Sequence, residues 1–389
     1  MSMNPSPGRY QIAGAMVMSV STAALLLLAC AESMESAFDR ADSSVGLPGA
    51  ERDAGNDTPD AFDGSDAALP EVPCAVGNVC RVQTPLTRGA ISAMSGRSRS
   101  DVWAAGTRGL MMRWDGQGWT ELDSSEEQKE SRTLTSLSLG DDETWGVAGM
   151  KLVRRGIDPD SVQSIEIRGP CCRVPTSIVV LADGTKYVGT SRGSWSPTAS
   201  GLGLLYDVTS FNPALMPVMP DPVVASTGEP SPMNIRAMAH VPERVLWTVG
   251  DRGGVARYPL EARDAGERWA LGRGVVFPLP IEHDLFAAWA DGDQLWVAGD
   301  GGVIVHFDGA EWHVQRLGTT AALRAIFGIS ATDIWAAGDA GALWHFDGTS
   351  WSQVPIQSYS GSLRAVWGGA PDDVWIGGEG GMFHWGPLP

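Results

Sequence analysis

From residue 79 onward, apolar and polar positions alternate in short runs separated by Gly and Asp turns, the period-2 pattern of strands whose two faces meet different surroundings. These runs recur as a block. Leu323-Arg-Ala-Ile-Phe-Gly, Asp333-Ile-Trp-Ala-Ala-Gly, Leu343-Trp-His-Phe-Asp-Gly and Ser350-Trp-Ser-Gln-Val follow one another. Upstream stand Gln294-Leu-Trp-Val-Ala-Gly-Asp, Val303-Ile-Val-His-Phe-Asp-Gly and Glu311-Trp-His-Val-Gln; downstream stand Leu363-Arg-Ala-Val-Trp-Gly, Asp373-Val-Trp-Ile-Gly-Gly and Met382-Phe-His-Trp. Earlier copies carry Asp101-Val-Trp-Ala-Ala-Gly, Glu143-Thr-Trp-Gly-Val-Ala-Gly, the degenerate Thr185-Lys-Tyr-Val-Gly and Val245-Leu-Trp-Thr-Val-Gly-Asp. One aromatic anchors each copy: Trp103, Trp145, Tyr187, Trp247, Trp296, Trp335 and Trp375, at spacings of 42, 42, 60, 49, 39 and 40 residues.

A repeat of this length made of four alternating segments predicts an all-β chain, a seven-bladed β-propeller of four-stranded antiparallel blades. One blade cannot cover its own faces, so the anchoring aromatic is expected to fill the space between neighbours. The Gly after it is expected to supply positive backbone angles or a tight turn. Asp-Gly before the last tryptophan of a copy predicts a hairpin between third and fourth strands. The final copy stops at Trp385 to Pro389 without a fourth run, whereas Val79-Cys-Arg-Val-Gln-Thr-Pro matches Trp312-His-Val-Gln-Arg-Leu. Residues 79–85 are therefore expected to complete the blade of residues 363–385, which pairs the two ends and removes a free edge.

Ahead of the repeat the pattern changes twice. Residues 1–29 read as an export signal, with Arg9 before the apolar run Ala13 to Ala29, a run too short to span as a mature anchor. Its end, Leu27-Leu28-Ala29-Cys30, resembles the bacterial lipobox, which implies lipidation of Cys30 and cleavage before it, and two or three acyl chains anchor such a protein permanently. By the sorting rule of enterobacterial lipoproteins, Ala31 rather than Asp after the cysteine implies the outer membrane, on its periplasmic or surface side. Residues 30–73 then carry eleven acidic residues against Arg40 and Arg52, with two aromatics, and read as a charged, extended tether. Removing the tether's −9 and the signal's +1 from the net −18 leaves −10 on residues 74–389, the wrong sign for nucleic acid.

Four cysteines remain for an oxidising compartment. Cys74 with Cys80 closes a short loop where the tether meets the folded part, while Cys171 and Cys172 form either a vicinal bridge or two separate pairs. Neither pair has the spacing of a zinc site, and no cofactor is expected.

The turns Asp115 to Trp119, Asp308 to Trp312 and Asp347 to Trp351 resemble the Asp-box turns of bacterial neuraminidase-type repeats and of photosystem assembly factor-like propellers, one residue shorter and without the leading serine. The alternation of Val-Trp strands with Gly-x-x-Trp turns is similar to tectonin-type lectin propellers. Both resemblances imply architecture over residues 79–389 and carry no activity.

Arginine recurs at one place in the innermost strand, as Arg236, Arg324 and Arg364, where other copies have Ser92, Thr135 and Phe286. Such a triad resembles the carboxylate clamp of sialidases and makes these three the ligand-binding candidates; alternatively, each arginine stacks on a tryptophan or ties one blade to the next. Sialidases also need a Tyr activated by a Glu, and none of Tyr187, Tyr206, Tyr258 or Tyr359 stands in such a pairing, so no catalytic residue is assigned. His306, His345 and His384 recur in register, one per copy, and are expected on the solvent side, not at a metal. The acidic turns Asp141-Asp142-Glu143, Asp291-Gly-Asp293 and Asp372-Asp373 are expected to cap turns. Residues 196–232, with seven prolines, exceed what a blade requires and are expected to overhang one face as a recognition loop. The functional expectation is an outer-membrane, non-enzymatic binding or assembly scaffold, monomeric, holding an envelope protein or glycan; the alternative is a lectin or glycoside hydrolase acting on acidic sugars through an arginine-lined channel.

Overall fold

Strands form wherever the alternation is clean, and each hairpin follows the turn chemistry of the repeat. The structure, a computed structural model, describes residues 73–85, 89–122, 133–156, 162–166, 173–192, 205–208, 234–263, 268–279 and 281–388. Strand β1 (Val79–Val82) precedes the first sheet, β2 (Ile91–Ser98), β3 (Asp101–Gly106), β4 (Met111–Trp114) and β5 (Trp119–Glu121). The second is β6 (Leu134–Leu139), β7 (Glu143–Ala148), β8 (Lys151–Gly156) and β9 (Val162–Glu166); the third is β10 (Arg173–Val180), β11 (Lys186–Arg192) and β12 (Leu205–Asp207). The fourth runs β13 (Ile235–Val241), β14 (Val245–Gly250), β15 (Gly254–Arg263) and β16 (Arg268–Leu271), with β17 (Val275–Pro278) also paired to β15. Then come β18 (Leu285–Asp291), β19 (Gln294–Gly299), β20 (Val303–Phe307) and β21 (Trp312–Arg316), followed by β22 (Leu323–Ser330), β23 (Asp333–Gly338), β24 (Leu343–Phe346) and β25 (Trp351–Gln353). The last sheet is β26 (Leu363–Ala370), β27 (Asp373–Gly378) and β28 (Gly381–Trp385), completed by β1.

All these ladders are antiparallel, and the first strands β2, β6, β10, β13, β18, β22 and β26 neighbour one another in turn until β26 meets β2. The chain is thus a β-propeller whose first strands are innermost. The expected seven four-stranded blades are corrected: six blades carry four strands or more, not seven, and the sheet β10-β11-β12 has three among the described residues. In sequence that copy is also the degenerate one, with Tyr187 in place of the anchoring tryptophan and 60 residues to the next anchor.

The ring closes on β1, where Val79, Cys80, Arg81 and Val82 pair with Trp385, His384, Phe383 and Met382. Cys80 also holds a disulfide with Cys74 just before the strand. At this seam His384 and Asp373 are both fully buried, with His384 Nε2 2.8 Å from Asp373 Oδ1 and Nδ1 3.1 Å from the Gly386 carbonyl. The solvent-side expectation for the histidines is therefore corrected: His384 is buried and His306 and His345 are half-buried. His306 and His345 stack on their own blades' Trp296 and Trp335, at 3.7 and 4.3 Å between ring centres.

Between blades the anchoring tryptophans meet aromatics from the following blade. Trp375 packs against Trp114 and Trp119 at 4.9 and 5.1 Å, Trp247 against Phe307 and Trp312, Trp296 against Phe346 and Trp351, and Trp335 against Trp385. In these four blades the following blade supplies the lid for its predecessor's anchor. The turns that deliver these lids use Asp Oδ1 as a backbone acceptor: Asp115 takes the N–H groups of Gln117 and Gly118, Asp308 those of Ala310 and Glu311, and Asp347 those of Thr349 and Ser350. Gly116, Gly309 and Gly348 in these turns have φ of 92°, 101° and 89°. The Gly ending each second strand has a different reason from the one expected. Gly106 and Gly338 are extended, and a Cβ there would stand 2.0 and 2.2 Å from the carbonyls of Ala90 and Ala322, so close backbone approach requires glycine.

Candidate functional site at the channel mouth

Every innermost strand carries a β-bulge, after its first residue in six strands and after its third, Pro175, in β10. The register skips between Ile91 and Ala93, Leu134 and Ser136, Pro175 and Ser177, Ile235 and Ala237, Leu285 and Ala287, Leu323 and Ala325, and Leu363 and Ala365. The extra residues are Ser92, Thr135, Thr176, Arg236, Phe286, Arg324 and Arg364. A bulged residue is released from the ladder and its side chain is re-aimed, which makes this layer the variable rim of an otherwise regular ring.

The rim has two halves. On one side hydroxyls tie adjacent strands: Ser92 Oγ donates to the Leu134 carbonyl and Thr176 Oγ1 to that of Ile235, both at 2.6 Å. On the other, Arg236 and Arg324 lie over Phe286, their Cζ atoms 5.2 and 4.5 Å from its ring centre. Each arginine has a carboxylate from the turn after its own second strand: Arg236 meets Asp251, Arg324 Nη2 stands 2.8 Å from Asp339, and Arg364 Nη2 3.4 Å from Glu379. Arg236 also reaches Asp284, 2.9 Å away. Burial alone would raise the Asp339 carboxyl, but hydrogen bonding to Arg324 and the charges of Arg324 and Arg364 outweigh it and hold the group below the usual carboxylate range.

The structure therefore brings Arg236 and Arg324 together across Phe286 and joins Arg364 to them electrostatically through Asp339. It gives none of the three as a free cation, and none lies over an anchoring tryptophan; stacking of that kind belongs to Arg113 on Trp103, Lys186 on Trp145 and Arg257 on Trp247. The carboxylate partners were missed from sequence although the signal is simple: an acid stands fifteen residues after each arginine. Thr176, also missed, belongs to the degenerate copy. Cys30, Cys171, Cys172, residues 196–232 and the Tyr206 side chain lie outside the described residues.

No described tyrosine is set up as a nucleophile. Tyr359 donates to the carbonyls of Ser362 and Glu379 and is pushed up to about 12, by burial first and then by the Glu379 charge. Tyr258 is raised by burial, and Tyr187, buried, reaches the Trp269 carbonyl. Among the described residues no group of three or more His, Cys, Asp or Glu side chains is arranged to hold a metal ion, and no helix is long and apolar enough to cross a membrane.

No known protein family and no curated protein matches the chain. Solved structures do. The protein YCF48 bound to D1 peptide is 19% identical, with a TM-score of 0.56 over 81% of this chain and 99% of that one. YCF48 from Cyanidioschyzon merolae is 15% identical, with a TM-score of 0.53 over 80% and 100% of the two chains. A streptogramin B lyase is 13% identical, with a TM-score of 0.55 over 79% and 96%. A peptide-bound protein and a lyase thus share one architecture with this chain, and at these identities the likeness establishes that architecture alone, the β-propeller.

Proposed function

We propose that this chain is an exported, lipid-anchored, non-enzymatic scaffold that holds an extended segment of an envelope protein across the channel mouth. The observation that carries this reading is the pairing of Arg236, Arg324 and Arg364 with Asp251, Asp339 and Glu379. An acidic sugar would have to displace three carboxylates to reach three guanidiniums. A polypeptide bearing both signs of charge exchanges partners with both members of each pair, and its backbone finds acceptors and donors on the hydroxyl side of the rim. The peptide bound to YCF48 supports the same use of a propeller in that protein. Export and anchoring at the outer membrane rest on the apolar run ending at Cys30 and on Ala31. A ring closed by its own β1 needs no second copy, which supports a monomer.

The test is crosslinking in whole envelopes with the lipidated chain, beside the Arg324→Ala/Arg364→Ala double variant. One protein captured by the parent chain and lost from the variant is the expected outcome. Arginine-dependent binding of acidic glycans on an array, with no captured protein, would replace this reading by the lectin one.

A further inference from the structure

Outside the channel mouth, one pair of metal-ligating side chains is built in a way the repeat does not demand. His306 on β20 and His313 on β21 are directly opposite in the ladder, their ring centres 5.9 Å apart. In the next blade the partner across from His345 is Ser352, and at the seam the partner of His384 is Cys80. The facing histidines are thus a property of one blade alone.

We propose that His306 and His313 form a chelating site for a divalent transition-metal ion of the zinc, nickel or copper type, bound through their two Nδ1 atoms.

Second-neighbour hydrogen bonds orient both rings. His306 Nε2 stands 3.1 Å from Gln294 Oε1 and His313 Nε2 2.9 Å from Asp308 Oδ2. Both partners are acceptors, so each Nε2 carries a hydrogen and donates it, which leaves the ligating lone pair on Nδ1. An imidazole whose other nitrogen donates to an amide or carboxylate oxygen is the usual arrangement of a metal ligand. Asp308 is itself fixed, because its other oxygen accepts the N–H groups of Ala310 and Glu311 that make the turn. Trp296, 12° from parallel to His306, covers that ring's face and fixes its plane.

The distance agrees with chelation. With nitrogen about 2.1 Å from the ion, each ring centre stands about 3.2 Å from it, so a separation of 5.9 Å corresponds to an angle of about 130° at the metal, between tetrahedral and linear. A small rotation of the exposed His313 reaches the tetrahedral value. Imidazole pairs suit the zinc, nickel and copper group rather than magnesium or calcium. Two protein ligands leave the remaining positions to water.

The experiment titrates the full chain, thiols first blocked by alkylation, with copper(II) and follows it by calorimetry and electron paramagnetic resonance, beside His313→Ala and the control His345→Gln. One equivalent bound in the micromolar range, hyperfine structure from two imidazole nitrogens, and at least about a tenfold loss in His313→Ala with His345→Gln unchanged are expected. Equal binding by His313→Ala, equal loss in the control, or a spectrum without imidazole nitrogen overturns the assignment. Because His313 is exposed, its variant is expected to keep the fold, checked by the circular dichroism of the same samples.

Discussion

Two arcs of the ring hold their blades together by different means. Around Trp247, Trp296, Trp335 and Trp375, every anchor is roofed by aromatic rings of the next blade. Around Trp103 and Trp145 there are none among the described residues. Trp103 packs among Leu134, Val153 and Met111, and Trp145 among Ile178, Val180 and Val188. Polar ties replace the missing rings: Ser136 and Ser138 hydroxyls accept the backbone N–H groups of Ile178 and Val180, and Lys186 crosses to Glu143, 2.9 Å away, which also takes Arg154. The comparison teaches that what a propeller must repeat is a filled inter-blade space, not a particular residue. A copy that loses its turn tryptophan survives if hydroxyls and ion pairs take over.

The largest test of this contrast is paired truncation. Trp335→Ala is expected to cost about 3–5 kcal/mol of stability, and Trp103→Ala about 1 kcal/mol less, the share that aromatic pairing adds beyond burial. Equal losses in urea denaturation would remove the distinction between the arcs. Next is the seam, where the aromatic arc depends on a covalent tie. Cys74→Ser is expected to lower stability by about 2 kcal/mol, the chain-entropy value for so short a loop, read from the denaturation midpoint. In the polar arc, Ser138→Ala leaves the Val180 N–H without its acceptor and is expected to cost about 1 kcal/mol, with faster amide exchange at Val180 and none of that change at Val297.

The smallest effect separates the arcs by pH. The His306 imidazole lies below its ordinary 6.5, near 4, so it favours folding above 6.5 and that contribution is lost as the pH falls toward 4. Burial would raise the Glu143 carboxyl, but hydrogen bonds from Lys186 and Arg154 hold it below its ordinary 4.5, so its contribution persists above 4.5 and is lost only at lower pH. His306→Gln should flatten the stability profile between neutral pH and about pH 5, and Glu143→Gln only the more acid limb. Urea midpoints across that range read both.

Much of the aromatic arc was legible because its residues recur: the anchors, the Asp-Gly turns and the match between residues 79–85 and a fourth strand all lie in the repeat itself. The bulge layer was not. Leu323-Arg-Ala reads as plain alternation, since the residues flanking Arg324 are buried with or without an extra residue, and only the register against Gly338 and Ala337 reveals the insertion. The third sheet, with three strands among the described residues, escaped for the opposite reason: a spacing of 60 shows that something is inserted without fixing how many strands pair. The histidines were misplaced because their contact with the anchor directly opposite in the neighbouring strand follows from the register of second and third strands, not from the local alternation. Each recurring His partners its own anchor, which their shared register with Arg113 over Trp103 already encoded.

The closure at β1 also decides how the molecule behaves under force. Residues before 73 join the ring through the strand that latches it, so a pull on them is delivered to the seam first. The Cys74–Cys80 bond shortens that path. Tension arriving at Cys74 passes directly to Cys80, inside β1 and opposite His384, and bypasses Ala75 to Val79, which stay slack. With the disulfide intact, the resisting unit is a strand gripped at its second residue over a buried His384–Asp373 pair; with the bond reduced, the same pull begins at Val79, at the fraying end. Stretched singly by its N-terminus, the oxidised ring is expected to open at a higher rupture force than the reduced one.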